Sequence, residues 1–221
     1  MQTSAIILTG GQSQRMGTDK ALLSIGEQTF LGLIAHKLAE ISDDVLIVGT
    51  NRSGYAEALA SLPVRFVPDS FKNCGPLGGL HAGLHAMRHT AGIVVACDMP
   101  LVSVALLKHM VTLLDMGRGE AFENAIDLAP SSSRMLRPYD AVVPQDELGW
   151  HPLHAVYRND CATSIEYLVR GGNLRMQNLI KQLNVRAIDK AEMAQFDPHG
   201  LSLKNLNTPQ ELEALKGLKA L

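Results

Sequence analysis

Residues 4–20 read SAIILTGGQSQRMGTDK, and this stretch decides the fold that we predict. It opens with the short apolar run Ser4–Leu8, which is typical of a strand buried in a parallel sheet. A glycine-rich loop, residues 8–20, follows directly. Adjacent glycines allow backbone amides to approach a polyphosphate, and Arg15 and Lys20 supply fixed positive charge for its oxygens. The combination predicts a binding site for a nucleoside triphosphate.

This loop differs from two common phosphate-binding motifs. The dinucleotide pattern requires G-x-G-x-x-G, and the P-loop requires a glycine, a lysine and a serine or threonine in direct succession. Here Lys20 stands three positions after Gly17, so neither motif is present. Gly10, Gly11 and Ser13 are the candidates for phosphate contacts. A plain glycine turn with incidental basic residues remains the alternative interpretation.

Apolar runs and helical patterns alternate after the loop, which predicts an α/β fold. We expect a Rossmann-like, three-layer α/β/α arrangement with a mostly parallel central sheet. Ligands bind at the carboxyl ends of the strands in such sheets, so the loops after Leu8, Val67 and Cys97 should meet. The predicted strands are 4–8, 44–48, 65–67, 92–97, 141–143, 153–157 and 185–188, and the predicted helices are 30–41, 77–87, 104–114, 162–169 and 209–219.

Residues 117–137 interrupt this regular alternation. They contain Gly117, Gly119, Pro130 and three consecutive serines, a composition that predicts a flexible loop, either a lid or a simple excursion. We find no internal repeat and no linker-like segment. Residues 1–221 are therefore expected to form a single nucleotidyltransferase domain, with the nucleotide bound by the N-terminal half and the acceptor by the C-terminal half.

Composition excludes several classes of protein. A formal charge of −2 offers no basic surplus for a nucleic-acid backbone, so we expect no nucleic-acid partner. The apolar runs are too short to span a bilayer, and the N-terminus lacks the features of an export signal, so we expect a cytoplasmic protein without membrane contact. The three cysteines are widely spaced and fit neither a disulfide framework nor a zinc site.

Acidic and glycine-rich segments after two other strands complete the candidate site. Asp98 follows an apolar strand, where one carboxylate is sufficient to hold Mg²⁺, or alternatively Mn²⁺, against substrate phosphates; a helix cap is the other interpretation. Asp69 is either a nucleotide contact or part of an ordinary turn. Gly75, Pro76 and Leu77 lie at the predicted start of a helix, and the backbone amides exposed there could face a purine base. A helix start without any ligand has the same sequence pattern.

The chain at this point resembles the molybdenum cofactor guanylyltransferases, within the wider group of sugar-phosphate nucleotidyltransferase-like proteins. Members of that family follow their first strand with Leu-Ala-Gly-Gly-x-Ser-x-Arg-Met-Gly-x-Asp-Lys-Ala-Leu, and in this chain only Thr9 departs by replacing the alanine. The resemblance covers nearly the whole chain. It extends through residues 68–69 (PD), 75–79 (GPLGG), 97–100 (CDMP), 151–153 (HPL) and 205–209 (NLNTP).

The resemblance implies the fold of the nucleotide-diphospho-sugar transferases and a role for each matching residue. One position departs from the family: Gly49 stands where an asparagine is often found two places before Asn51, and whether Asn51 replaces that base or ribose contact is open. Implied nucleotide contacts are Leu8, Thr9 and Gly10, with Lys20 on the phosphates, Asp69 on the base or ribose, Asp98 on magnesium, and Asn205 and Asn207 near the acceptor. His151 lies near the presumed acceptor side, where it could contact a pterin or simply shape the loop.

The activity implied by the resemblance is transfer of GMP from GTP to molybdopterin, with release of pyrophosphate. A phosphate nucleophile is already largely ionised near neutral pH, since its second pKa is about 6, so no general base is required. Magnesium, Lys20 and Arg15 would offset the charge of the transition state. The resemblance also admits cofactor-delivery proteins as partners.

Two further classes of function remain open at this stage. Another nucleotidyltransferase of the same fold would transfer cytidylyl to the cofactor or make a nucleotide sugar, and a non-catalytic nucleotide-binding module would release no pyrophosphate. The spacing of His81, His85 and His89 is compatible with a metal site on one helix face, but also with a half-buried polar face.

Overall fold

The structure is a computed structural model that describes residues 1–10, 19–59, 62–126, 138–206 and 211, and for residues 117–126 it describes the backbone alone. Its strands are β1 (Ser4–Leu8), β2 (Ser24–Ile25), β3 (Gln28–Thr29), β4 (Asp44–Val48), β5 (Val64–Val67), β6 (Ala91–Ala96), β7 (Ala141–Asp146), β8 (Gly149–Trp150), β9 (His154–Arg158) and β10 (Val185–Ile188).

The helices confirm most of the predicted pattern. The α-helices are α1 (Phe30–Ala39), α2 (Tyr55–Ala58), α3 (Pro76–Ala86), α4 (Val104–Ile126), α5 (Cys161–Arg170), α6 (Met176–Gln182) and α7 (Lys190–Ala194), and a short 3-10 helix spans Lys20–Leu22. The helix predicted at 209–219 lies outside the described residues, apart from Glu211. Among the described residues, none of the helices combines the length and apolar character that crossing a bilayer requires.

The central sheet is mostly parallel, as predicted. Its strand order is β10-β7-β9-β6-β1-β4-β5, and β8 pairs with β7 at one end. β1 lies between β4 and β6, is parallel to both and is buried at every residue. β9 is the exception within this order, because it runs antiparallel to both of its neighbours, β6 and β7. Its amino end therefore lies at the sheet edge that holds the carboxyl ends of β1 and β6.

Helices cover both faces of the sheet. The crossover from β1 through α1 to β4 runs in one direction, and the crossover from β5 through α3 to β6 runs in the other. Since such crossovers are right-handed, α1 and α3 lie on opposite faces. The sequence favours α1 locally, because the Thr29 hydroxyl caps it by accepting from the Gly32 amide at 3.1 Å. Its apolar stripe then buries Phe30, Leu31 and Ile34.

Helix α4 is longer than the predicted helix at 104–114. It continues to Ile126, so the flexible loop predicted at 117–137 is wrong for its first ten residues, and residues 127–137 lie outside the described part of the chain. Each glycine in a helix costs about 1 kcal/mol relative to alanine, which weakens a helix but does not prevent one that has already begun. Pro130 is the first residue after Val104 that a helix interior would exclude.

Several short elements were not predicted. The hairpin of β2 and β3, strand β8 and helix α2 contain between two and four residues each, which is too few to show a periodic pattern of apolar residues. Helices α6 and α7 are also short, at seven and five residues. These elements pack on neighbouring elements, for example α2 on α1 and α6 on α5.

His154 is an unusual member of the core. It begins β9 opposite Val95, is fully buried, and both of its ring nitrogens lack a hydrogen-bond partner among the described residues. Burial is the main reason that the pKa of His154 falls to about 4, and the nearby His151 lowers it further, while Asp197 opposes the shift. The native protein therefore holds this imidazole in its neutral form.

We predict that protonation of His154 destabilises the fold in mild acid. The ordinary histidine pKa is 6.5, so the unfolded chain takes up a proton between pH 6.5 and about 4 while the folded chain does not. The free energy of unfolding therefore keeps its full value from this residue above pH 6.5 and decreases as the pH falls. The decrease reaches about 3 kcal/mol near pH 4. Urea unfolding of His154→Leu across this range should show a shallower decrease than the wild type.

His199 provides the control, because it is an exposed histidine. His199→Gln should retain the wild-type dependence of unfolding free energy on pH. If the free energy of unfolding decreased as steeply with falling pH in His154→Leu as in the wild type, His154 would not be the source of the pH dependence.

Candidate active site

Backbone hydrogen bonds join the loops at the carboxyl edge of the sheet. The Thr9 amide donates to the Val48 carbonyl at 2.9 Å, and the Cys97 amide donates to the Leu8 carbonyl at 3.0 Å. The Gly49 amide donates to the carbonyl of Val67 at 3.0 Å. The sheet ladder thus continues by one residue beyond each strand, and the loops after Leu8, Val67 and Cys97 meet as the sequence predicted.

Lys20 and Asp98 face each other across this edge. The Lys20 Nζ lies 3.9 Å from Asp98 Oδ2, and each side chain is 26% exposed. Burial raises the pKa of the Asp98 carboxyl above its usual value, and the positive charge of Lys20 opposes that shift. One cation and one carboxylate are therefore held at a site still open to solvent, where the first can bind phosphate oxygens and the second a divalent metal.

Asp69 lies between the first loop and the beginning of α3. A β-carbon built on Gly10 would lie 3.5 Å from Asp69 Oδ2, and one built on Gly79 would lie 3.2 Å from Oδ1. Partial burial raises the pKa of Asp69 above its usual value. The carboxylate is thus close to the backbone that follows β1, on the side away from β6.

A cavity of about 550 Å³ opens beside Asp69. Its volume is within the range of small-molecule binding sites. Asn51 lines it, so the amide whose role the sequence left open lies on the same cavity as Asp69. The lining residues come from the segments after β4, the end of β5 and the loop that follows: Gly49, Thr50, Asn51, Phe66, Val67, Pro68, Asp69, Lys72 and Asn73.

Helix α3 begins where the sequence predicted a contact with the base. Gly75 precedes the helix with φ of 59°, a left-handed value that glycine tolerates, and Pro76 opens the first turn. No side chain caps this terminus. Leu77 is fully buried in the core, so its backbone rather than its side chain is available for a ligand. The unsatisfied amides of the first turn suit a polar ligand group.

Thr9 and Gly49, the two departures from the family pattern, touch each other. The Thr9 hydroxyl donates to the Val48 carbonyl at 3.0 Å, and the residue is buried. Gly49 has φ of 128°, and a β-carbon there would lie 2.9 Å from Thr9 Oγ1 and 3.0 Å from the Gly10 nitrogen. No side chain fits at position 49 in this arrangement, and the Thr9 side chain is committed to the protein interior, so Thr9 can meet a nucleotide through its backbone.

Asp19, Arg52 and Tyr55 were missed by the sequence reasoning. The Tyr55 hydroxyl donates to Asp19 Oδ2 at 2.9 Å, and Arg52 Nη1 lies 3.3 Å from the same oxygen. Asp19 also caps the 3-10 helix that contains Lys20, because its Oδ1 accepts from the Ala21 amide at 3.1 Å. The position of Asp19 directly before Lys20 was a usable signal, whereas nothing in the sequence connects Tyr55 with the loop.

The segments predicted to bind the acceptor also reach this edge. The Leu206 amide donates to the Asp98 carbonyl at 2.8 Å, which brings the exposed Asn205 beside the Asp98 segment. His151 precedes β9, and its Nε2 lies 2.9 Å from Asp146 Oδ2 at the end of β7. The Ala96 amide donates to the Leu153 carbonyl at 2.9 Å, so the loop with His151 lies next to the end of β6.

Some candidates lie outside this group. Gly11, Ser13, Arg15 and Asn207 are outside the described residues. The rings of His81 and His85 are stacked with centroids 6.0 Å apart, an arrangement that does not converge on one ion. His89 follows the end of α3 and contacts Asp43 at 2.7 Å. In the described ranges, no three histidine, cysteine or acidic side chains are grouped so as to hold a metal.

Known proteins share this sequence and this fold. Residues 5–187 match the model of the MobA-like NTP transferase domain. A probable molybdenum cofactor guanylyltransferase of Peptoclostridium acidaminophilum is 34% identical over 95% of this chain and 86% of its own length. The corresponding protein of Methanothermobacter thermautotrophicus is 31% identical over 95% of this chain and 96% of its own length.

Solved structures agree on the fold. Molybdopterin-guanine dinucleotide biosynthesis protein A from Archaeoglobus fulgidus superposes with a TM-score of 0.73 at 23% identity, covering 99% of both chains. The 2-C-methyl-D-erythritol 4-phosphate cytidylyltransferase from Thermus thermophilus gives a TM-score of 0.62 at 14% identity, covering 100% of both chains.

These matches extend over nearly the whole chain, and they include Lys20 and Asp98, which meet at the sheet edge. The chain is therefore a member of the MobA-like NTP transferase family, together with the molybdenum cofactor guanylyltransferases.

Proposed function

We propose that this protein transfers GMP from GTP to the terminal phosphate of molybdopterin and releases pyrophosphate. The observation that carries the proposal is the 3.9 Å approach of Lys20 to Asp98 at the end of the glycine loop. That approach unites a phosphate-binding cation with a metal-binding carboxylate. The names of the relatives, molybdenum cofactor guanylyltransferases, support the molybdenum cofactor as the acceptor and a guanylyl group as the group transferred.

The reaction is a displacement at the α-phosphorus of GTP. An oxygen of the acceptor phosphate forms the new bond to that phosphorus, while the bond to the oxygen bridging the α- and β-phosphates breaks, and the pair of electrons leaves with pyrophosphate. In our proposal Lys20 and Arg15 bind the phosphate oxygens and offset their negative charge. The backbone of Leu8, Thr9 and Gly10, with Gly11 and Ser13 beyond them, orients the triphosphate.

Asp98 is the proposed ligand of a divalent cation, with Mg²⁺ our first choice and Mn²⁺ the second. The donor set suits Mg²⁺, which commonly takes one or two carboxylates, several waters and substrate phosphates. The side chain of Asp98 is also partly exposed, so it can reach such an ion without rearrangement of the sheet. When bound, the ion would supply Lewis-acid stabilisation of charge on the phosphates.

The guanosine end is proposed to lie toward Asp69 and α3. The Asp69 carboxylate and the uncapped turn at Gly75, Pro76 and Leu77 offer an acceptor and backbone donors, respectively, to the ribose or base. Asn51 lies on the adjoining cavity and can supply the amide contact that Gly49 lacks.

The acceptor is proposed to approach from the opposite side of Asp98. His151 directly follows β8, and Asn205 and Asn207 belong to a later segment. Of these three residues, His151 and Asn205 lie beside the end of β6. We therefore propose one domain in which the N-terminal half binds the nucleotide and the C-terminal half binds the acceptor. Delivery of the acceptor by partner proteins and a cytoplasmic location are part of the same proposal.

We expect Lys20→Ala and Asp98→Ala each to reduce GMP transfer at least a hundredfold while the fold is retained. Loss of one charge-stabilising group commonly costs a factor of about 10² to 10³ in turnover. Pyrophosphate release with GTP, Mg²⁺ and molybdopterin measures the effect, and circular dichroism checks folding. Lys190→Ala is the matched control, because it breaks the exposed ion pair with Glu147 and should leave turnover unchanged. Near-normal transfer by either site variant would remove that residue from the mechanism.

Base selectivity distinguishes this proposal from other nucleotidyl transfers. Wild-type protein should release pyrophosphate with GTP at least tenfold faster than with CTP, ATP or UTP when molybdopterin and Mg²⁺ are present. If pyrophosphate were released as fast with CTP as with GTP, the protein would be a nucleotidyltransferase without preference for guanine. Binding of nucleotide without any pyrophosphate release would instead favour a non-catalytic module.

A further inference from the structure

One buried side chain contacts the residue that precedes Lys20. This residue is Asp19, where the described chain resumes after the glycine loop. The Tyr55 hydroxyl donates to Asp19 Oδ2 at 2.9 Å. We call these two residues, Tyr55 and Asp19, the loop clasp.

The clasp is held in place from several directions. Tyr55 is fully buried on α2, and Arg52 just before that helix lies 3.3 Å from Asp19 Oδ2. Burial, followed by the hydrogen bond to Asp19 and its negative charge, raises the pKa of the Tyr55 phenol above its usual value, so the phenol keeps the proton that it donates.

The clasp is connected to the candidate active site through Asp19. The second oxygen of this carboxylate, Oδ1, accepts from the Ala21 amide at 3.1 Å and so caps the 3-10 helix Lys20–Leu22. Lys20 is the first residue of that helix, and its Nζ lies 3.9 Å from Asp98 Oδ2. A shift of Asp19 would therefore move the start of this helix and the base of the Lys20 side chain.

We infer that Tyr55 is a positioning residue that fixes Asp19 at the start of the 3-10 helix and thereby aims Lys20 at the bound triphosphate. The identity of the nucleotide rests on the proposed function, but the clasp itself rests on the contacts of Asp19 with the Tyr55 hydroxyl and with the Ala21 amide. The competing explanation is that the Tyr55 hydroxyl stabilises the core without directing Lys20.

The test compares Tyr55→Phe with Tyr157→Phe. Tyr157 is a matched control, since it is also fully buried and its hydroxyl donates to the Pro152 carbonyl at 2.8 Å rather than to Asp19. Both variants lose one buried hydroxyl and should show small decreases in Tm. We expect Tyr55→Phe to weaken binding of GTP with Mg²⁺ roughly tenfold by calorimetry, because a hydrogen bond to a charged partner is lost. Tyr157→Phe should bind GTP as tightly as the wild type.

Two further measurements separate positioning from stability. In the Lys20→Ala background, Tyr55→Phe should weaken GTP binding by much less than tenfold, since the group that it positions is absent. In the nucleotide-free protein, hydrogen exchange at residues 20–22 should be faster in Tyr55→Phe and unchanged in Tyr157→Phe. Equal effects of the two tyrosine variants on exchange and on GTP binding would overturn the inference and leave the proposed function intact.

Failure of the proposed function has a different signature. If the wild type does not bind GTP, the assignment of the nucleotide is wrong, and the hydrogen-exchange comparison then decides on the clasp alone. Faster exchange confined to Tyr55→Phe supports it, and equal exchange in the two variants overturns it.

Discussion

The arrangement of the site depends on the parallel pairing of β1 with its two neighbours. Leu8 is in register with Val48 of β4 on one side and with Ala96 of β6 on the other, so three strands end at the same level. A parallel ladder fixes this level through backbone hydrogen bonds along the whole strand, whatever the loops contain. Residues only one or two positions beyond the strand ends, such as Asp98, are therefore brought together without any contact between their side chains.

The antiparallel strand β9 extends the same edge to the second half of the chain. A parallel strand at this position would begin at the far edge of the sheet, about 15 Å away over five residues. Because β9 runs the other way, the His151 loop enters at the carboxyl edge, where the Leu153 carbonyl accepts from Ala96. The Leu206 amide reaches the Asp98 carbonyl from another direction. One reversed strand thus allows the segments that we propose to bind the nucleotide and the acceptor to share a single edge.

The sequence predicted those features that have a local pattern. The strands have continuous apolar runs, helices α1 and α3 have periodic ones, and the glycine loop has a specific motif, so the sheet and the meeting of its loops followed. The clasp had no such signal, because Tyr55 contacts Asp19 across 36 positions of sequence and its own helix is only four residues long. The extent of α4 was also missed, since Gly117 and Gly119 lower helix propensity without preventing a helix that has already begun.

The contact between Thr9 and Gly49 indicates that the two departures from the family pattern are a single structural change. The Thr9 hydroxyl occupies the space that the β-carbon of a side chain at position 49 would need. Rotation of the Thr9 side chain out of this space would break its buried hydrogen bond to the Val48 carbonyl. An asparagine at position 49 would therefore require a shift of the Thr9 side chain or of the Gly10 backbone, and it also conflicts with the left-handed φ of 128°. The amide function that this chain retains near the cavity is that of Asn51, two residues farther along the same loop.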